Sequence, residues 1–131
     1  MNSKKVKIID IINYLKSNDC YFLFEGNKKD EIEGFSSLFN YQGNTMTFVS
    51  SLNEFEKTAD EFKDRKINLV IIAPTERMYD CFLNVIKIES PKATFFSIID
   101  KFFDMNTEED LNIISMKNRK THINSFISSE V

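Results

Sequence analysis

Among the residues able to do chemistry, none stands beside the partners it would need. His122 is the single histidine of the chain. With no second histidine or adjacent cysteine it completes neither a metal set nor a nucleophile triad, and it reads as a surface or linker residue. Cys20 and Cys81 lie far apart with no CxxC between them, the pattern of free thiols in a reducing compartment. Ser36-Ser37 lacks the flanks of a nucleophile elbow, and Gly26, Gly34 and Gly43 form no phosphate loop. The Lys28-Lys29-Asp30-Glu31 cluster has cations that can meet a phosphate, but mixed charges in a turn are the ordinary composition of a solvated loop tip. The carboxylates of Glu25 and Asp30 read as solvated too. No metal and no cofactor is indicated.

The elements that must position any site fit one domain. A chain of 131 residues buries roughly two thirds of the surface that its unfolded form exposes. Thirteen phenylalanines against three glycines and two prolines describe a packed globular domain rather than disorder. The net charge of −3 is spread with both signs mixed, leaving no basic footprint for nucleic acid or anionic lipid. Met1 to Lys7 is basic, but the apolar run behind it is broken by Asp10 and Asn13, so it is not a signal peptide. No stretch has the roughly 18 successive apolar residues of a membrane-spanning helix. The expectation is a soluble, cytoplasmic protein without membrane insertion.

Along the chain, Ile8, Ile11, Ile12 and Leu15 recur at helical spacing between Val6 and Lys16, giving an amphipathic helix that ends at Ser17-Asn18-Asp19. The aromatic run Cys20–Glu25 suits a buried strand, the charged turn Gly26–Asp30 follows, and Glu31 starts the return strand of a hairpin. Gly34 within that strand marks a bulge or a close backbone approach. Asn53–Lys66 reads as a helix with Phe55, Ala59 and Phe62 inward and Ser51 or Asn53 as cap. Ile67–Ala73 is almost wholly aliphatic, as a central strand buried on both faces and parallel to a neighbour would be. Met78, Cys81 and Phe82 fit a turn or two of helix, and Val85–Glu89 alternates like a short strand. Ser90-Pro91 opens a further helix whose main stripe is Phe95, Ile99 and Phe102. Asn106–Met116, with Thr107 as cap, fits another short helix, and Lys117–Thr121 is a basic polar linker. The predicted fold class is therefore α/β: a single domain with a mixed sheet of about five strands, at 20–25, 31–36, 45–49, 67–73 and 85–89, and helices packed on it.

The densest pattern is Ile32–Ser51, strand, turn and strand, with Met46 and Phe48 on one face of the second strand. Ile32, Gly34, Phe35, Ser36, Ser37, Leu38, Asn44, Met46, Thr47 and Phe48 follow without gaps a pattern that resembles the N-terminal, non-repeat domain of the UDP-3-O-acylglucosamine N-acyltransferases of lipid A synthesis. Weaker agreement takes in the first helix, Ile67–Ala73 and the Glu89-Ser90-Pro91 helix start. In His122–Val131, Ile127 and Val131 fall at the first and fifth positions of a hexapeptide turn, as in that family's left-handed β-helix. The resemblance thus implies a nucleotide-recognition domain over 1–105, with a linker and the start of a β-helix over 106–131, at the front of a longer enzyme.

In that family the uracil of a UDP-amino sugar is held between two aromatic rings with an asparagine between them. Phe48 matches the first ring. Ser51 stands where the asparagine would, unless it is displaced to Asn53. Phe55 is the nearest counterpart of the second ring, a tyrosine in the family, and is reached only with one inserted residue. Phe55 also leads the inner stripe of its helix, where core packing competes with ligand stacking. The catalytic histidine, the acyl carrier protein contact and the homotrimer interface belong to the β-helix. The present chain is then expected to be a monomer without activity of its own. The alternative is a stand-alone or adaptor domain that kept the fold and lost the uridine pocket, a reading supported by the departures at Ser51 and Phe55.

Overall fold

The structure, a computed structural model, describes residues 5–103. The expected helix at 106–116, the linker, His122 and the hexapeptide start lie outside the described residues.

A mixed five-stranded sheet forms the frame, and three helices pack on it. The strands are β2 (Phe22–Glu25), β4 (Gly34–Phe35), β5 (Thr45–Phe48), β6 (Ile67–Ile72) and β7 (Phe82–Ile88), in the spatial order β2-β7-β6-β5-β4. The last four run parallel and β2 alone is antiparallel, paired with β7 from Phe22↔Ile88 to Glu25↔Val85. A separate two-residue pairing joins β1 (Val6–Lys7) to β3 (Glu31–Ile32). As its composition requires, β6 is the middle strand. Leu69 and Ile71 enter one core and Val70 and Ile72 the other, all at most 1% exposed.

The first core lies under α1 (Ile8–Ser17) and α3 (Pro91–Phe102). Helix α1 buries Ile8, Ile11, Ile12 and Leu15, and α3 buries Phe95, Phe96, Ile98 and Ile99. No side chain caps α1; instead the N–H groups of Ile8 and Ile9 donate to the carbonyls of Asp30 (2.9 Å) and Lys28 (3.2 Å). At its other end the Asn18 side-chain amide donates to the Tyr14 carbonyl at 2.8 Å. Pro91 opens α3 as expected, while Ser90 caps it without a side-chain hydrogen bond. The second core lies under α2 (Leu52–Thr58) and the 3₁₀ turn Ala59–Phe62 that extends it. Phe55 and Phe62 are its buried stripe. The helix tightens at Thr58, whose hydroxyl bonds back to the Phe55 carbonyl at 3.2 Å, a competition with helical bonding that short polar side chains bring.

Four local expectations are corrected. Cys20–Glu25 and Glu31–Ser36 do not form a hairpin: β2 pairs with β7, and β3 pairs with β1. The connection does not turn back; it crosses β7, β6 and the start of β5, satisfied by a row of asparagines. The Asn27 N–H donates to Asn84 Oδ1 at 2.6 Å, and Asn84 Nδ2 donates to Asp30 Oδ2 at 2.9 Å. Asn68 Nδ2 donates to the Glu31 carbonyl at 3.0 Å and also to Asn44 Oδ1, and the Glu33 N–H donates to the Asn44 carbonyl at 2.9 Å. Buried polar groups must be paired, and here pairing with the crossing backbone fixes its path. A bulge or close approach is expected at Gly34: the strand is interrupted just before it, at Glu33, but a Cβ on Gly34 would meet Thr45 at an ordinary 4.0 Å; the close approach is at Gly26, which has φ +141° and where a Cβ would collide with Asn84 Oδ1.

The 31–36 strand is also divided. Its first half pairs with β1, and after Glu33 the chain joins β5 in the main sheet. Finally, Thr75–Asn84 contains no helix: residues 73–81 are irregular, and β7 begins at Phe82, before the expected Val85. Cys81 and Phe82 are apolar because they fill the second core, not because they share a helix face.

Candidate functional site

The corner where β5 gives way to α2 contains two of the three expected site residues. Phe48 ends β5, paired with Ile71 of β6, and the Val49 N–H still donates to the Ile71 carbonyl at 2.9 Å. This is the carboxyl end of a run of parallel strands, where open α/β sheets most often place their ligands. The Phe48 ring is half-buried, with its centroid 4.7 Å from that of Phe95 and 6.2 Å from that of Phe96. Ser51, also half-buried, is the N-cap of α2 and accepts the Glu54 N–H at 3.3 Å. That bond uses a lone pair of the hydroxyl and leaves its proton to donate.

Phe55 is placed elsewhere. It is 3% exposed and packs within 5.6 Å of Phe62 and Phe82 and 5.2 Å of Tyr79 in the second core. Phe48 belongs to the first core. The sheet lies between them, so the two rings do not form the walls of one slot. Ser36 is accounted for by packing, since its hydroxyl is buried and bonded to the Thr45 hydroxyl at 2.7 Å. Cys20 and Cys81 are free thiols, each pushed toward the neutral form mainly by burial, the opposite of what activates a nucleophile. Among the described residues no group of three His, Cys, Asp or Glu is placed to hold a metal ion, and no helix is long and apolar enough to cross a membrane.

One feature escaped the sequence reading. On the second face, beyond the cover of α2, a groove of about 190 Å³ runs between the β2–β7 end of the sheet and the 75–79 connection. Ile72 and Val85 contribute apolar lining, and Lys87 and Arg77 bring cations. Lys87, only 8% exposed, reaches Glu25 Oε2 at 3.1 Å. Arg77 Nε lies 3.2 Å from Glu56 Oε2, to which the Tyr79 hydroxyl also donates at 2.7 Å. Burial first, and then that bond to Glu56, push the Tyr79 phenol up to about 12. The alternation of Leu83, Val85 and Lys87 toward one face was the available signal; that the face is open depends on the reach of α2. Comparison with family models and with curated proteins returns no match for the chain.

Proposed function

We propose that this domain recognises the nucleotide of a UDP-amino sugar on behalf of a sugar-nucleotide N-acyltransferase working in the cytoplasm. The observation that carries the reading is Phe48, an aromatic ring braced on Phe95 yet only half-buried, at the carboxyl end of a parallel strand and three residues before Ser51. A phenylalanine there offers a π-face to uracil, an interaction of about 1–3 kcal/mol on exposed platforms. The spare proton of the Ser51 hydroxyl can be donated to a uracil carbonyl, from the position where the resembled family has an asparagine. Phe55 acts in this scheme as a core residue that fixes α2, and not as the second stacking ring. Acyl transfer, the acyl carrier protein and trimer formation are assigned to the β-helix that the resemblance implies.

Weak affinity follows from so small a contact: a Kd in the millimolar range, about −4 kcal/mol, because binding must first offset lost translational and rotational freedom. Titration with UDP should therefore saturate only at millimolar concentration, and Phe48→Ala should remove binding from a chain that still folds. The burial of Phe55 on the opposite face favours a second reading, an adaptor domain without a uridine pocket. A folded wild-type chain that does not respond to high millimolar UDP would overturn the first reading and favour the second.

A further inference from the structure

Strand β2 ends the sheet and, among the described residues, is hydrogen-bonded to β7 alone. Natural edges are commonly blunted by proline, by lysine or by a covering segment. Cys20–Glu25 has neither proline nor lysine. Period two sends Phe22 and Phe24 toward the first core and places Tyr21, Leu23 and Glu25 together on the open second face. Tyr21 is 83% exposed and Leu23 54%, and the exposed Leu83 of β7 lies farther along, past the Glu25 end of the strand. A bare edge next to apolar side chains has the form of a surface made for strand addition.

The sequence of this edge is complementary to itself. We infer that two copies of the chain associate about a two-fold axis by pairing their β2 strands antiparallel, with Leu23 at the axis. In that register Leu23 lies against Leu23 of the second copy, and Tyr21 lies against Glu25 of the second copy, on each side. The strand's only charge is Glu25, so no like charges face each other, and each phenol can donate to a carboxylate. Glu25 is at the same time held by Lys87, which compensates its charge when water is displaced. The contact is isologous and closed, and joins two five-stranded sheets into one. A strand of four residues gives a small interface, of the transient class. The pairing is independent of the nucleotide reading and of any trimer formed by a β-helix; it replaces the monomer expected from the resemblance alone.

Sedimentation of the whole chain from low micromolar to millimolar concentration tests the inference. A monomer–dimer equilibrium is expected, and Leu23→Lys, which brings two ammonium groups together at the axis, should weaken it at least tenfold, since like charges in contact are strongly penalised. A second measurement reads the register: in a Cys20→Ser background, Leu23→Cys should form a disulfide-linked dimer on oxidation, because directly opposed residues have Cα atoms about 4.5–5.5 Å apart. In the same background Leu83→Cys should not. A chain that stays monomeric throughout, an association unaffected by Leu23→Lys, or equal cross-linking at both positions would overturn the pairing.

Discussion

The two faces of the sheet are covered to different extents. On the first face two helices bury Ile86 and Ile88 of β7 and enclose Phe22 and Phe24 of β2, so that even the antiparallel edge strand has an apolar partner. On the second face the helical cover among the described residues is seven residues of α2 and one 3₁₀ turn, joined by Leu38 and Tyr41 of the connection before β5, and outside it Leu23 and Leu83 stand in solvent. Stability therefore resides mainly in the first face, and the second face at the β2–β7 end is left for contact. The ring at the corner between β5 and α2, Phe48, is rooted in the first core, while Phe55 belongs to the second.

The sharpest way to break this contrast is truncation on each side. Phe96 is 1% exposed in the first core, and Phe96→Ala should cost about 3–5 kcal/mol in urea unfolding. Leu83→Ala, on the open face, should stay within about 0.5 kcal/mol. Equal losses would mean that the second face is covered in solution.

Next in size is the asparagine row that carries the crossing segment. Asn84→Ala strands the Asn27 N–H and the Asp30 carboxylate, and should cost about 1–3 kcal/mol. Gly26→Ala forces a Cβ onto Asn84 Oδ1 at a backbone angle that favours glycine, and should cost more than about 1 kcal/mol. Because both changes act on one contact, Gly26→Ala should cost less in the Asn84→Ala background than alone, a coupling that a double-mutant cycle measures. Strict additivity would show that the clash is relieved elsewhere.

How far the sequence predicts the fold depends on the range of the interactions involved. The aliphatic run of β6, the stripe of α1 and the Pro91 start of α3 are local patterns, and each element was legible from them. The path of residues 26–33 was not, because it depends on Asn44, Asn68 and Asn84, distant in the chain and polar, which no periodicity brings together. Phe48 and Ser51 could be located at a strand end and a helix cap. That Phe55 lies on the other side of the sheet was hidden, since the face taken by a helix between parallel strands follows from strand order, and the hairpin reading had that order wrong.

Smaller effects sharpen the picture. Thr47 is fully buried and its hydroxyl has no hydrogen-bond partner. Thr47→Val removes that unpaired group at nearly constant shape and should stabilise the chain by about 1 kcal/mol, read as a higher unfolding midpoint. The smallest effect belongs to Tyr79. Its folded-state value is raised, to about 12, so the stability it contributes is whole below the unfolded value near 10 and is lost as pH rises through the folded one. Between pH 10 and about 12 the melting temperature of the wild type should therefore fall more steeply than that of Tyr79→Phe. Parallel curves would show that the Tyr79–Glu56 bond at the groove wall does not persist in solution.

The most direct test of the nucleotide reading is a backbone chemical-shift map of the chain titrated with uridine, recorded on wild type and on Phe48→Ala. The account predicts millimolar-range shifts in the wild type that centre on Phe48–Ser51, with Phe62 and Phe82 unmoved, and their disappearance in a folded Phe48→Ala chain. Shifts that persist in that variant, or that centre on the Phe55 side of the sheet, would contradict it.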